Sequence, residues 1–455
     1  MKQLTTPQPA DRRLYPLKSA MLKRRNPPVS LFLGDSAAQK EGNKVFRGPK
    51  TPGSPHPLNA DRRLLRLWGL LRLLTWVWAI AVVGVTSSTA LTVREQAILR
   101  WPPVPPYSEW VWRLLLDPFV RRDTIHYYAI VDQGYRVDTG SAQFHPLLAW
   151  LAAPLSWLSG EPMVGLFVVS SLASAGLTLA FYRLVQLDYP APIAWRSTLL
   201  LFGSPLAFVL FIPYTEGLFL LCAVLCFYWM RQRHWWLAGL AGAGAVLTRQ
   251  QGLFLLVPLF WEWVTAWRKP DHDPPARLRD GLALLLIPCG LVIWIAYRAI
   301  ALDDVHVDLA QPQTLIYSLL ISPSANKVVP QQAFLLPWNA LAIALRKYWT
   351  APEYSLLFDL VLGFGFIPLI IVTWHRMRRS EQLYTIVILI VSFGYYTGPH
   401  YPYMGLPRHL LLAVPVFVHL GAFFRTQRAL ASMIILGVLG MLFLQLQYGI
   451  HGWVP

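Results

Sequence analysis

Uncharged apolar stretches of roughly 17 residues or more recur from about residue 73 to the C-terminus, each long enough as a helix to cross a hydrocarbon core of about 30 Å. In lipid the backbone must satisfy its own hydrogen bonds, and continuous apolar runs do so as helices. Composition agrees. Of the 455 residues 55% are hydrophobic and only 14% charged, against roughly 25% charge in soluble domains. The expected fold class is an all-α polytopic membrane protein.

Apolar segments lie near 73–93, 145–159, 163–182, 195–212, 217–230, 235–248, 252–266, 281–299, 354–375, 383–398, 409–424 and 429–448. Arg62, Arg63, Arg66 and Arg72 precede the first span and place the N-terminus in the cytoplasm by the positive-inside rule. The loops with Arg231 and Arg233, with Arg268, Lys269, Arg277 and Arg279, with Arg376, Arg378 and Arg379, and with Arg425 and Arg428 should share that side. They do so if 145–159 is a juxtamembrane helix in the outer interface and 235–266 is a pair of spans. That layout puts 28 of the 40 Lys and Arg inside and 11 outside, with Arg249 at the turn of the pair. It implies about eleven membrane helices, a first external loop over 94–160, a second over 302–353, and an external C-terminus. Residues 64–455 then form one transmembrane domain.

The net charge of +17 does not indicate nucleic acid, because 15 Lys and Arg fall in residues 1–72 against the four acids Asp11, Asp35, Glu41 and Asp61. Residues 1–63 read as a disordered basic cytoplasmic tail, without the apolar core and cleavage site of a signal peptide. Cys222, Cys226 and Cys289 lie within apolar stretches, so no disulfide framework is expected in the external loops. The chain has no Asn-X-Ser/Thr acceptor, which points to a prokaryotic plasma membrane.

The segment of strongest local character is Arg121-Arg122-Asp123-Thr-Ile-His126-Tyr127-Tyr128, continuing to Asp132 and Gly134-Tyr135. As a helix it sets Asp123, His126 and Tyr127 on one face at i, i+3 and i+4. The bland alternative is an Asp123 that only caps the helix or pairs with Arg121 or Arg122. Glu216 follows Pro213-Tyr214-Thr215 at the outer mouth of a span, where it is either a sugar contact or a first-turn acid favoured by the helix dipole. Arg408 ends a donor-rich stretch containing His400 and Tyr401, and Arg249 lies between two apolar helices. Each is a phosphate-binding candidate, against the readings of an interfacial anchor for Arg408 and a pairing with Glu262 for Arg249. Asp359 is expected to bond a neighbouring helix. Asp303, Asp304, His306 and Asp308 read as a solvated cluster, and no metal or other cofactor is expected.

Taken together, the Asp123 loop, Phe144-His145-Pro146-Leu147, Pro213-Tyr214-Thr215-Glu216, Leu247-Thr248-Arg249-Gln-Gln-Gly252 and Leu406-Pro407-Arg408-His409 occur in an order that resembles the PIG-V-type mannosyltransferases, membrane enzymes of the GT-C fold. The resemblance extends over residues 64–455. It implies a polyprenyl-phosphate sugar donor, typically of mannose, with Asp123 at the active site. The chain departs from that pattern at Arg122, where the family has Trp, and at His409, where it has an aromatic residue.

The reaction implied is an inverting sugar transfer on the external face. Asp123 is the base, and Arg122, His126, Tyr127, Asp132, Glu216, Arg249, His400, Tyr401 and Arg408 contact substrate. The partners expected are the lipid-linked donor, a glycan, lipid or protein acceptor, and the bilayer. A transporter or lipid flippase is the alternative, and would gather its ionisable residues near the bilayer midplane.

Overall fold

The computed structural model describes residues 57–86, 115–268, 276–305 and 332–451. Helix α1 runs over Pro57–Thr86. It starts ahead of the expected span at 73 and takes in residues 57–63, which the sequence had assigned to the tail. The reason lies in its two faces. Leu64 is buried, while Arg62, Arg63 and Arg66 point outward and Asp61 pairs with Arg183 at 2.8 Å. The rest of the tail, 1–56, and the loop stretch 87–114 lie outside the described residues.

Helix α2 is Asp123–Gln133, α3 Leu147–Ser159 and α4 Pro162–Gln186. The turn between α3 and α4 uses Gly160 at φ +72, and the two helices touch backbone to backbone, since a Cβ on Gly165 would stand 2.4 Å from the Ala152 carbonyl. With 13 residues, α3 is about 20 Å long, too short to span. Trp157 and Leu158 stand exposed on it, as suits an interfacial helix.

The expected span 195–212 is divided into α5 (Ala191–Phe202) and a 3₁₀ stretch, Pro205–Leu210. The break falls at Gly203, over which the last helix crosses so closely that a Cβ on Gly437 would meet the Gly203 carbonyl. Next come α6 (Glu216–Arg231), α7 (Trp235–Thr248), a 3₁₀ stretch Gln250–Leu255, and α8 (Leu256–Arg268). A 3₁₀ stretch Leu278–Leu285 leads directly into α9 (Leu286–Ala301).

Within 302–353, residues 306–331 lie outside the described residues. The remainder holds strand β1 (Ala333–Phe334) and helix α10 (Pro337–Thr350), followed by α11 (Tyr354–Trp374) and α12 (Arg379–Gly394). Strand β1 pairs antiparallel with β2 (Tyr395–Tyr396), the one departure from an all-helical fold among the described residues. The expected span 409–424 is broken into α13 (Leu406–Leu410) and α14 (Val414–Leu420), and α15 (Gln427–His451) closes the chain.

Among the described residues, five helices are long and apolar enough to cross a membrane: Asn59–Val85, Pro162–Gln186, Leu278–Ala301, Tyr354–Trp374 and Gln427–Ile450. The other expected spans are shorter or interrupted helices, some buried, as α14 is, and others with outward apolar residues, such as Leu240 on α7 and Phe260 on α8. Their ends are joined by polar contacts. Arg231 binds Asp188 at 2.5 Å and stands 3.5 Å from Glu381, whose other oxygen lies 2.8 Å from His419 Nε2. This network links the α4–α5 turn to α6, α12 and α14.

Candidate functional site

Two carboxylates and two guanidiniums from four separate segments meet in one array. Arg408 Nη1 donates to Asp123 Oδ2 at 2.8 Å, and its Nε stands 3.1 Å from Glu216 Oε1. Arg249 Nη1 donates to the same Glu216 oxygen and, at 3.1 Å, to Thr215 Oγ1. Glu216 is wholly buried and Arg249 and Arg408 nearly so, whereas the Asp123 side chain keeps 30% of its surface. Asp123 is therefore the member most open to an arriving molecule. Two acids balance two cations, so the array is neutral as it stands.

Local sequence explains each placement. Arg122 takes φ +50 and turns the chain so that Asp123 opens α2, where the helix dipole favours an anion. Thr124 Oγ1 donates to the Pro213 carbonyl at 3.4 Å, docking α2 beside the segment that presents Glu216. Glu216 opens α6 in the same way. Arg249 sits in extended backbone between α7 and the following 3₁₀ stretch. The return is tight because Gly252 lacks a side chain, and a Cβ there would stand 2.3 Å from Val246 N. Gly405, at φ +79, starts α13 and lets the Arg408 guanidinium fold back over it.

Electrostatics follow from this packing. Enclosure raises the Asp123 carboxyl, but Arg408 and then Arg249 outweigh it and hold the group below its ordinary value. Burial, aided by the Asp123 charge, pushes the Tyr127 phenol up, so it stays protonated and donates to the His145 carbonyl at 3.2 Å. Burial likewise lowers His145 to about 4. The neutral ring then donates from Nδ1 to the Val246 carbonyl at 2.6 Å.

The structure brings together Asp123, Glu216, Arg249 and Arg408 from the sequence candidates, with His126 and Tyr127 beside them. His126 stacks on Phe144 with ring centroids 4.6 Å apart. Arg249 pairs with Glu216 rather than Glu262, which instead accepts from Ser380. Arg122 lies exposed at the turn before α2. Asp132 is not brought in, since it stands exposed at the far end of α2, roughly 13 Å along the axis from Asp123. His400 and Tyr401 sit exposed in the turn after β2, which the Thr397 hydroxyl closes by donating to the Tyr401 carbonyl, and neither contributes a side-chain bond to the array among the described contacts. Asp304 forms a buried pair with Arg298, while residues 306 and 308 of that acidic stretch lie outside the described residues.

Sequence reasoning missed Tyr214 and Thr215 as individual members of the site. The Tyr214 ring lies 5.3 Å from the Arg408 guanidinium carbon, and Glu216 Oε2 is buried without a hydrogen-bond partner among the described residues. Their signal was the Pro213-Tyr214-Thr215-Glu216 run, of which only the charged member was singled out.

An array of this kind can offer several N–H donors to phosphate oxygens while a reachable carboxylate takes a proton. No family model, curated protein or solved structure matches the chain.

Proposed function

We propose that this protein is a membrane glycosyltransferase of GT-C type with about eleven membrane segments, which moves a sugar, mannose by resemblance, from a polyprenyl phosphate to an acceptor hydroxyl on the external face. The observation that carries this reading is the convergence of Asp123, Glu216, Arg249 and Arg408, with Arg408 2.8 Å from Asp123 and 3.1 Å from Glu216 and with Arg249 paired to the same Glu216 oxygen. Asp123 takes the proton of the acceptor hydroxyl, whose oxygen forms the new bond to the anomeric carbon. The bond from that carbon to the phosphate oxygen breaks with inversion, and the polyprenyl phosphate leaves with the electron pair. Arg408 and Arg249 meet the phosphate oxygens, and Glu216 holds both guanidiniums in place. The leaving group is a phosphate monoester dianion that arginines alone can steady, so no metal enters the scheme.

The four charged groups stand at helix ends and turns rather than midway along the long apolar helices, which favours transfer chemistry over transport. Proteoliposomes carrying the protein, supplied with radiolabelled polyprenyl-phosphate-mannose and a lipid or glycan acceptor extract, test the proposal. Label should pass to acceptor in the wild type and not in Asp123→Asn. Equal transfer by both proteins would remove Asp123 as base, and no transfer by either from mannosyl or glucosyl donors would end the reading.

A further inference from the structure

Far from this array, the turn joining α6 to α7 meets the turn that begins the Leu278–Leu285 stretch. Arg233 takes φ +62, and the His234 N–H closes the turn on the Trp229 carbonyl at 2.9 Å. Opposite, the Arg277 N–H donates to Asp280 Oδ2 at 2.8 Å. Just beneath, the two elements touch backbone to backbone, because a Cβ on Gly239 would stand 2.2 Å from the Ala283 carbonyl. Above that contact the side chains splay apart around an open cavity of about 360 Å³ lined by Arg233, His234, Trp235, Trp236, Arg277 and Arg279, with Leu237 and Asp280. Glycine contact below and a closed turn on each side make the groove a preformed feature.

We propose that this groove binds the phosphate headgroup of an anionic phospholipid. Three guanidiniums and an imidazole face one carboxylate, and an Oδ2 of that carboxylate already accepts the Arg277 N–H. Guanidinium groups hold phosphodiester oxygens through paired N–H donors. The groove lies at the end of a helix apolar enough to cross a membrane, Leu278–Ala301, so its cations stand where headgroups stand. Leu278, Leu282 and Leu285 descend from it with more than half their surface exposed, as does Leu240 on the facing helix, where Trp236 is half exposed. This apolar wall continues where acyl chains would run, which a free phosphate has no use for. The same basic loops are those that charge asymmetry assigns to the cytoplasmic side, where anionic lipids attract Lys and Arg.

The groove is separate from the Asp123 array and does not rest on the transfer reaction. Trp294 and Tyr297, near the other end of the same helix, pack against Tyr135 of the α2 segment, on the order of 20 Å along the axis from Arg279.

The full-length protein, delipidated in neutral detergent, is titrated with phosphatidylglycerol, with phosphatidylcholine and with inorganic phosphate, and retained lipid is counted by native mass spectrometry. Wild type should retain phosphatidylglycerol selectively, and Arg277→Gln/Arg279→Gln should retain it roughly 30-fold more weakly. Both residues are exposed, so the pair should leave the fold intact, checked by thermal melting. Arg425→Gln/Arg428→Gln removes the same charge from the exposed start of α15 and the turn before it, and should keep wild-type retention. The proposal is overturned by equal retention of phosphatidylcholine, by displacement of phosphatidylglycerol with millimolar phosphate, or by equal losses in the two double variants.

Discussion

Arg408 donates a 2.8 Å hydrogen bond to Asp123 across 285 positions of sequence, so the cation suited to a phosphate and the carboxylate suited to a hydroxyl proton neutralise each other. In this state Asp123 is ionised but weakly basic, because Arg408 and Arg249 override the effect of enclosure and lower its proton affinity. A phosphate that draws Arg408 toward itself relieves that hold and raises the basicity of Asp123. Donor binding would thereby arm the base, giving an ordered reaction with the donor first.

The first prediction concerns this pair. Asp123→Asn should lower transfer by roughly 10²–10⁴-fold with little change in donor affinity. Wild-type kcat/KM should show no limb from Asp123 between pH 5 and 8, since a lowered carboxyl is already deprotonated there, and should fall only under stronger acid. Arg408→Gln should move that acid limb toward neutral pH, besides raising the donor KM. An acid limb left in place by Arg408→Gln would show that the pairing does not set the base.

Glu216 offers a second test, because both guanidiniums lean on one of its oxygens and the side chain is wholly buried. Glu216→Gln leaves Arg249 and Arg408 enclosed with Asp123 as their remaining carboxylate, and should destabilise the protein by about 3–5 kcal/mol. Adding Arg249→Gln removes one stranded cation and should recover part of that loss. A double-mutant cycle by thermal melting in detergent measures the coupling, and simple additivity of the two changes would count against the shared contact.

Much of this arrangement was legible before any coordinates. The apolar runs announced a mostly helical chain with membrane-length helices, and Asp123, Glu216, Arg249 and Arg408 were each singled out as charged groups beside apolar segments. Periodicity put Asp123 at a helix start with His126 and Tyr127 on its face, as found. The array itself was hidden because its bonds join residues 123, 216, 249 and 408, and no local pattern encodes such pairings. Helix breaks at Gly203 and between Leu410 and Val414 were hidden too, since a buried interrupted helix is as apolar as a continuous one. Asp132 misled for the converse reason: nearness in sequence became distance once the segment between was a helix.

Glu161 yields a prediction outside the array. It caps α4 by accepting the Met163 N–H at 3.1 Å, and burial, with help from Asp132, pushes its carboxyl up to about 7. A carboxyl raised on folding from 4.5 to about 7 weakens the fold as pH climbs through that interval, after which the loss is constant. Glu161→Gln keeps an oxygen for the Met163 N–H and removes the charge. It should therefore raise stability at pH 8, by up to about 3 kcal/mol, and change little at pH 4. Thermal melts of both proteins at the two pH values decide the matter.

Asp188 behaves in the opposite sense. Burial raises its carboxyl, but Arg231 at 2.5 Å and Arg378 at 3.0 Å more than offset this and hold it at about 2, below the ordinary 3.8. A carboxyl lowered on folding contributes stability that is complete above the unfolded value and disappears as pH falls through the folded one. The contribution, about 2 kcal/mol, should be intact at pH 5 and mostly gone by pH 2. Arg231 also stands 3.5 Å from Glu381, so its loss takes a cation from two acids at once and leaves Asp188 to Arg378 and Glu381 to His419. Arg231→Gln should thus lower the melting temperature at pH 7 and flatten its decline between pH 5 and 2, because the protons taken up on acid unfolding are fewer. A variant with wild-type acid sensitivity would mean that the Asp188 pair is not what fails first in acid.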